Sequence, residues 1–512
     1  MRKLRARRWW ALGALDLGVL AVGLDVTVLS VALPTLAVSL KASESDLQWF
    51  SSAYALVLAA GMLPAGVLGD RFGRKRVLLG ALLLFGLGSV ACAFATTPAE
   101  FIAGRVLLGA AGAAIVVMAL SVMTVLFSAE ERPRAVGIWA AANFLALPVG
   151  PIFGGWLLTN YWWGWIFLMN VPVACVGLVA VLTLVPESRA PVKPALDPLG
   201  MALVTAGLVS VTYGLIELGR HGWGDGTSWA VLVAGMALGA GFFAWERRLA
   251  SRSSGRTLVD LSLFRSRGFT WGTVLASLGG LALIGLVFTL PQYSQGVLGL
   301  DPEAAGVRLL PLIVGMVIGA VPADRIAGRA GAKLTVALGF AITGVALLIG
   351  STTAVDSSAW YLAGWMTLVG LGMGIGFATA ASAALKTVPS EKSGVASALI
   401  QALQKVGAPL GSAIFGSVLV TAYQSSLSLG GLPAPLADAV RRSVFAGVAV
   451  ARSLHSTALL ESVRHSFVAG MDTALLFSAG IAALATVAAL IFLPGRDRAV
   501  AVLEKAAVER VA

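Results

Sequence analysis

Runs of about twenty apolar residues, each long enough to cross a hydrocarbon layer ~30 Å thick as a helix, recur along the whole chain. This pattern restricts the fold more than any other feature of the sequence. Backbone groups in lipid must be hydrogen-bonded within each segment, so the runs are predicted to be helices. The weaker alternating segments of a membrane barrel are absent. The sequence therefore predicts an all-α integral membrane protein.

The apolar runs predict fourteen transmembrane helices. The first eight lie near residues 9–33, 47–69, 77–96, 100–126, 135–158, 164–185, 198–219 and 228–248. Six more lie near residues 269–291, 304–323, 333–351, 359–382, 396–421 and 469–493. The first run extends past Leu33 and is too long for the apolar part of a secretory signal, so it is predicted to be a retained first span.

Composition excludes several classes of function. Hydrophobic residues make up 58% of the chain and charged residues only 12%, whereas about a quarter of the residues are charged in soluble proteins. The net charge of +12 resides in short loops between apolar runs, which indicates a membrane protein and not a nucleic-acid partner. No histidine or cysteine cluster, Walker loop or activated nucleophile is found. We therefore predict no metal, no cofactor and no enzymatic activity.

The basic residues predict the orientation of the helices. Alternate loops contain Arg71, Arg74, Lys75, Arg76, Arg132, Arg134, Arg189, Lys193, Arg247, Arg248, Arg252, Arg256, Arg265, Arg267, Arg325, Arg329, Lys333, Lys386 and Lys392. The short loops on the other side carry only Lys41, Arg220 and Arg308. Because positive loops face the cytoplasm, both termini are predicted to be cytoplasmic, as an even number of spans also requires.

A faint internal repeat predicts the domain organisation. Arg71-x-Gly73-x-Lys75 follows the second span, and Arg329-x-Gly331-x-Lys333 follows the tenth. Residues 1–195 are predicted to form one six-helix half and residues 267–512 the other, with an inserted helix pair (spans 7 and 8) and a cytoplasmic linker at 196–266. Repeated halves are typical of transporters, whose substrate path lies between them.

A long connection at residues 422–468 is predicted on the outer side, within the second half. Leu436, Val440, Val444 and Val448 recur there at helical spacing, beside Asp438, Arg441 and Arg442. This pattern predicts an amphipathic helix. A solvated loop without regular structure is the alternative.

Four stretches resemble motifs of one family. They are Leu24–Pro34 (LDVTVLSVALP), Gly66–Lys75 (GVLGDRFGRK), Arg105 with Gly109 and Gly112, and Gly150–Gly155 (GPIFGG). Together they resemble the major facilitator superfamily, specifically its fourteen-span drug:proton antiporter branch, which includes quaternary-ammonium and multidrug exporters. The resemblance extends over nearly the whole chain. It implies the major facilitator fold, with two six-helix halves plus two inserted helices.

The resemblance also implies a function. It suggests a proton-coupled antiporter in a bacterial cell membrane that exports amphipathic drugs or secondary metabolites and so contributes to antibiotic resistance. The expected partners are a lipophilic small molecule, protons and membrane lipid, and the protein is expected to be a monomer. A dedicated exporter of a self-made antibiotic or a lipid-like molecule is one alternative, and a membrane sensor that does not transport is another. The related exporters carry acidic residues in span 13, whereas residues 401–405 read QALQK here, which leaves neutral or anionic substrates open.

Asp25 and Arg105 are the predicted proton-coupling residues. An ionised carboxylate deep in a span costs about 2.5–3.5 kcal/mol on insertion scales, so Asp25 needs a partner or a proton. Arg105 in span 4 lies at a compatible depth. The alternative is a permanent structural pair. Asp16 lies nine residues before Asp25, on the opposite helix face, and is expected to pair with basic residues of a nearby loop.

The resemblance assigns conformational gating to two motifs. The first comprises Asp70, Arg71, Gly73, Arg74 and Lys75, and its aspartate is expected to contact the helix N-terminus near Ser393, where a carboxylate gains about 0.3–1 kcal/mol. The second comprises Gly150, Pro151, Gly154 and Gly155, whose small residues allow close helix packing.

Four polar residues inside or near spans are candidates for the substrate cavity. They are Asn143, Gln401, Lys405 and Glu217. Lys405 lies well inside span 13 and lines the cavity or anchors a cytoplasmic gate. Glu217 lies beside Arg220 and His221 near a helix end, where a residue that reaches to the membrane surface is the alternative.

Overall fold

The computed structural model describes residues 2–127, 131–189, 197–252, 261–386, 388 and 393–494. Within these ranges the secondary structure is helical, and no β-strand is present. The all-α prediction is therefore confirmed for the part of the chain that the structure describes.

Eighteen α-helices are described, and they are numbered in chain order. The first nine are α1 (Arg2–Ser39), α2 (Glu44–Phe72), α3 (Arg74–Ala93), α4 (Pro98–Leu126), α5 (Arg132–Asn160), α6 (Trp165–Leu168), α7 (Asn170–Leu184), α8 (Pro198–His221) and α9 (Gly226–Arg252). The others are α10 (Arg267–Gln292), α11 (Pro302–Val307), α12 (Leu310–Ala330), α13 (Ala332–Gly350), α14 (Ala359–Lys386), α15 (Ser393–Ser426), α16 (Ala434–Arg442), α17 (Val444–Ser453) and α18 (Thr457–Phe492).

Helices lie over all fourteen predicted spans, with the sixth span divided into α6 and α7 and the tenth into α11 and α12. Among the described residues, eleven helical segments are long and apolar enough to cross a membrane. The count is twelve when α2, which bends by 49° between Glu44–Met62 and Pro64–Phe72, is included as one span. The remaining predicted spans coincide with α5 and α15. The structure thus supports eleven or twelve spans, and fourteen stays a prediction.

Tight helix ends explain how short loops connect the long helices. Ser43 and Asp46 form a reciprocal capping box at the start of α2, and Thr97 and Glu100 form another at the start of α4. Gly73 has φ +113° between α2 and α3, a conformation that favours glycine. Gly331 takes the same role between α12 and α13, with φ +84°. Both glycines of the repeated Arg-x-Gly-x-Lys motif are therefore explained by a positive φ in the turn between two helices.

The chain divides into two compact units. The first comprises residues 1–259, 285–309 and 408–470. Within it, α1 packs against α5 and α7, α4 packs against α2 and α3, and the inserted helices α8 and α9 pack against each other. The predicted boundaries of the two six-helix halves, at residues 195 and 266, divide the chain into continuous segments, whereas each compact unit combines several segments. These boundaries stay a prediction.

The second unit comprises residues 260–284, 310–407 and 471–512. Its helices α12 and α14 meet through glycines, because a Cβ at Gly315 or Gly319 would overlap a backbone carbonyl of α14. Gly370 and Gly374 face backbone carbonyls of α12 in the same way. Small residues let membrane helices approach closely, and this contact is reciprocal.

The predicted outer connection differs from expectation in two respects. It is shorter than predicted, because α15 continues to Ser426 and α18 already begins at Thr457. The amphipathic pattern is confirmed: Val440, Val444 and Val448 are buried, whereas the neighbouring charged residues are exposed. The prediction of a single helix is wrong, because Ser443 has an extended backbone and its side chain caps the start of a second helix. Two short helices, α16 and α17, therefore replace one.

Candidate functional site

Asp25 and Arg105 form an ion pair in the interior of the first unit. The Nη1 atom of Arg105 lies 2.5 Å from Oδ2 of Asp25. The two residues are 2% and 1% exposed. Helix α1 supplies the carboxylate and helix α4 the guanidinium, so the pair joins two long helices. The pairing of Asp25 with Arg105, which was predicted from their depths in the membrane, is therefore present in the structure.

Among the described residues, Arg105 also contacts two residues of α2. Its Nε donates a hydrogen bond to the carbonyl of Phe50 at 3.0 Å. Its guanidinium lies 4.4 Å from the centre of the Tyr54 ring, within the range of a cation–π contact. The hydroxyl of Tyr54 donates to the carbonyl of Val22 on α1 at 3.1 Å. Arg105 is thus held to α2 by contacts that do not involve Asp25.

The glycines that follow Arg105 explain why Tyr54 comes so close. Gly109 and Gly112 lie on the same face of α4 as Arg105, at intervals of four and seven residues. A Cβ at Gly109 would lie 2.5 Å from the Tyr54 carbonyl, and one at Gly112 would lie 3.1 Å from its hydroxyl. The motif on α4 therefore combines a cation with the space that an aromatic ring needs beside it.

Asn170, at the start of α7, is a further neighbour of Asp25. It is 1% exposed and its side chain interacts with the carboxyl of Asp25. Among the described residues, Nδ2 of Asn170 and Oδ1 of Asp25 have no hydrogen bond of normal geometry. One oxygen of Asp25 is thus engaged by Arg105, while the other faces a neutral amide.

The glycine motif of α5 packs against two other helices of the same unit. A Cβ at Gly150 would overlap Thr27 of α1, and a Cβ at Gly154 would overlap Val28. Gly155 faces the backbone at Pro302 and Glu303 of α11. In return, Gly306 of α11 faces the carbonyl of Pro151. Space for close packing is thus the observed property of Gly150, Pro151, Gly154 and Gly155.

The turn between α2 and α3 is tied to its own unit by several polar contacts. Asp70 accepts hydrogen bonds from Nη2 and Nε of Arg74 at 2.8 and 3.0 Å. Lys75 donates to the carbonyl of Leu182 at 2.8 Å. Glu187 accepts from the backbone N–H of Lys75 at 3.2 Å. The guanidinium of Arg71 lies 5.8 Å from the ring centre of Phe72.

The expected contact of Asp70 with the helix N-terminus near Ser393 stays a prediction, because the two residues lie in different compact units.

The candidate cavity residues are only partly described. Asn143 lies on α5, and Gln401 and Lys405 lie on α15, but their side chains are outside the described part of the structure. Glu217 is 8% exposed, and its Oε2 lies 3.0 Å from Nδ1 of His221 one turn later. All four assignments to a substrate cavity stay predictions.

The expected pairing of Asp16 with basic residues of a nearby loop is not found among the described residues, and it stays a prediction. Asp16 is 7% exposed, and neither of its carboxylate oxygens has a hydrogen-bond partner among the described residues. Arg8, a basic residue of the same helix, pairs with Glu131 at 3.2 Å. A helical wheel gives the face on which a residue lies, but it does not give the residues that this face meets.

Tyr54, Asn170 and the carbonyl of Phe50 were missed in the sequence. Phe50 and Tyr54 lie four residues apart on α2, which is one helical turn. Two glycines on one face of α4 were a signal that a bulky neighbour packs against this face. Nothing in the sequence pairs that face with Tyr54, and nothing singles out Asn170.

Comparison with known proteins decides the family. The Major Facilitator Superfamily profile matches residues 15–412. The chain belongs to the major facilitator superfamily. Among its relatives in this superfamily, the tetracenomycin C resistance and export protein of Streptomyces glaucescens is 32% identical over 499 residues, 95% of this chain and 92% of that protein. The multidrug efflux pump LfrA of Mycolicibacterium smegmatis is 31% identical over 492 residues, 95% and 94% of the two chains.

A solved structure agrees on the fold of this major facilitator protein. A bacterial homolog of the human lysosomal transporter Spinster, in an inward-facing and unoccupied conformation, matches with a TM-score of 0.67 at 17% sequence identity. The match covers 95% of this chain and 98% of the other. Members of the superfamily are transporters and not enzymes, so the chain is a multi-pass membrane transporter of small molecules.

Proposed function

We propose that this transporter is a proton-coupled antiporter that exports amphipathic drugs or secondary metabolites across the bacterial cytoplasmic membrane. The observation that carries the proposal is the buried ion pair of Asp25 and Arg105. Ionisable groups inside membrane helices mark ion and substrate pathways in general. The relatives support export as the direction, since one is named a resistance and export protein and the other an efflux pump.

In the proposed cycle Asp25 carries the proton and Arg105 responds to its charge. An ionised Asp25 attracts the guanidinium strongly, because the buried site screens charges poorly. A bound proton removes most of this attraction. Arg105 then remains on α2 through Phe50 and Tyr54, so protonation loosens α1 from α4 without displacing the arginine. Asn170 offers the neutral carboxyl an alternative partner.

The turn between α2 and α3 is proposed to be the gate of this cycle, together with the α5 glycines. Asp70 already accepts two hydrogen bonds from Arg74. Closure onto the start of α15 near Ser393 would require Asp70 to share or exchange this partner. If the two interactions of Asp70 have similar free energies, the closed state can form and open again. Asn143, Gln401, Lys405 and Glu217 are proposed to face the substrate.

The proposed topology has fourteen membrane-crossing helices and both termini in the cytoplasm. Reporter fusions at Arg256 and at Gly431 test it, because the two positions should lie inside and outside, respectively. If both fusions report the same compartment, the topology is wrong.

Export of one self-made antibiotic is the second candidate function. The relative that is named for tetracenomycin C favours it, since the match extends over 95% of this chain. A resistance profile across chemically different compounds, measured in a host without its own pumps, distinguishes the two. Resistance to many compounds supports the multidrug function, and resistance to one supports the dedicated exporter.

The decisive test uses vesicles that contain the purified protein and an amphipathic dye such as ethidium. An acidic external medium should drive the dye out against its gradient while protons enter. A protonophore should abolish the uphill movement and leave the vesicles intact. Uphill efflux that persists with the protonophore would contradict proton coupling. If adding dye causes no proton entry, the result would favour a sensor over a transporter.

A further inference from the structure

A second polar site lies in the first unit, at the start of α2 and remote in sequence from Asp25. A cavity of about 260 Å³ opens there between α2, α15 and α16. Its polar lining consists mainly of Glu44, Gln48, Gln424, Asp438, Arg441 and Arg442. The proposed function leaves all of these residues without a role.

The two α2 residues of this cavity are buried without full hydrogen bonding. Glu44 is 3% exposed and Gln48 is 0% exposed. Oε1 of Glu44 and both polar amide atoms of Gln48 have no hydrogen-bond partner among the described residues. Buried polar atoms are paired in most proteins, so unpaired ones that line a cavity point to a ligand.

Helix capping does not account for Glu44. Asp46 accepts hydrogen bonds from the backbone N–H and the hydroxyl of Ser43, and the Ser43 hydroxyl accepts from the N–H of Asp46. The capping box at the start of α2 is therefore complete without Glu44. Its carboxyl interacts with Gln292 of α10, which is a neutral amide. Glu44 thus has no part in the helix cap, and its Oε1 has no hydrogen-bond partner among the described residues.

The charged groups around the cavity do not neutralise Glu44. On α16, Arg441 pairs with Asp438 at 3.4 Å. Arg442 is exposed, and no ion pair joins it to Glu44 among the described residues. Tyr423 of α15 is near Glu44, but its hydroxyl donates to the carbonyl of Val440 at 2.8 Å. A buried carboxylate without an ion pair is costly, so a proton or a cation bound beside Glu44 would lower the free energy of this site.

We propose that this cavity binds a positive charge, with Glu44 as its anionic ligand and the amide oxygen of Gln48 as its second ligand. The charge is a proton or a small monovalent cation such as ammonium. A proton would bond to the Glu44 carboxylate and be donated in a hydrogen bond to the Gln48 amide oxygen, and an ammonium ion would donate hydrogen bonds to both oxygens. The volume is sufficient, because a water molecule occupies about 30 Å³ of liquid. In the proposed topology α16 lies outside, so the cavity is filled from the outer side.

Close packing against Gly416 of α15 fixes the position of the Gln48 side-chain amide. A Cβ there would lie 2.6 Å from Cγ and Cδ of Gln48 and 2.7 Å from its Nε2. The side chain of Gln48 is therefore packed against the backbone of α15 and does not turn away from the cavity freely. An amide that is fixed and unpaired is a preorganised ligand.

Infrared spectroscopy on the full chain, reconstituted in vesicles of neutral lipid, tests the proposal directly. Glutamate labelled with ¹³C at its side-chain carboxyl separates Glu44 from every aspartate, including Asp25. Spectra are recorded at neutral pH in choline chloride and in ammonium chloride. The variants are Glu44→Gln and, as the matched control, Glu461→Gln, which alters an exposed glutamate of α18.

If the charge is a proton, a protonated glutamate band is expected in both salts. If it is a cation, this band is expected in choline and is replaced by a carboxylate band in ammonium. In either case the signal disappears in Glu44→Gln and persists in Glu461→Gln. A Glu44 that is ionised in choline at neutral pH would overturn the proposal. If Glu44→Gln does not fold, Gln48→Ala must shift the titration of the glutamate band, and an unchanged titration would overturn it equally. No transported substrate is needed, so failure here is distinct from failure of the proposed export.

Discussion

Helix α1 carries two buried carboxylates whose surroundings differ. Asp25 contacts a guanidinium that is itself held by a carbonyl and an aromatic ring. Asp16 lies nine residues earlier, on the opposite face, and has no hydrogen-bond partner among the described residues. Burial alone therefore does not distinguish the proposed coupling carboxylate from the other one. The partner, and what holds the partner, distinguishes the two.

The largest expected effect is that of Asp25→Asn. An amide cannot release a proton, so uphill export should fall to background while binding of substrate persists. Dye efflux and dye binding, measured on the same vesicles, check both parts. Normal uphill export by Asp25→Asn would show that the coupling group lies elsewhere.

Arg105→Ala should have the largest effect on stability. It leaves the carboxylate of Asp25 buried without its cation, and breaking a buried pair in this way costs about 3–5 kcal/mol. Unfolding in denaturing detergent measures the loss. Adding Asp25→Asn to Arg105→Ala should restore part of the stability, because the unpaired charge is then gone. A double variant as unstable as the sum of the single ones would mean that the two residues are not coupled.

Two substitutions of Tyr54 separate its contacts. Tyr54→Phe keeps the ring beside Arg105 and loses the hydrogen bond to Val22, at a cost of about 0.5–1.5 kcal/mol. Tyr54→Leu also loses the cation–π contact, which is worth about 0.5–2 kcal/mol. Export should therefore be near normal in the first and impaired in the second. Equal impairment would assign the role to the hydroxyl and not to the ring.

Asp16→Asn should have the smallest effect. It removes a buried charge that has no hydrogen bond among the described residues, so stability should stay unchanged or rise, and export should continue. Thermal unfolding and dye efflux measure the two quantities. Loss of export in Asp16→Asn, with normal export in Asp25→Asn, would reverse the assignment of the two carboxylates.

The sequence predicted the parts of the site that depend on one helix at a time. Apolar runs located the helices, and depth from the helix ends matched Asp25 with Arg105. The repeated Arg-x-Gly-x-Lys pattern was recognisable in the sequence, and its glycines, Gly73 and Gly331, both lie in tight turns. These features follow from local chain geometry, which the order of residues determines.

Features that depend on the neighbouring helix were not predictable. Tyr54 has its role only because α2 lies against Gly109 and Gly112 of α4. Among the described residues Asp16 has no hydrogen-bond partner, and nothing in the sequence pairs Arg8 with Glu131, a residue 123 positions away. The outer connection forms two helices because the hydroxyl of Ser443 caps the start of the second one. The apolar pattern continues through this position and predicts one helix.

The glycine contact between α12 and α14 has a genetic consequence. Every missense change of a single base in a glycine codon introduces a side chain, of which the methyl group of alanine is the smallest. At Gly315, Gly319, Gly370 and Gly374 even this methyl group would overlap a carbonyl of the facing helix. We expect spontaneous mutations that abolish function to accumulate at these four codons. A selection for loss of the transporter would thus point to a helix pair and not to the place where substrate binds.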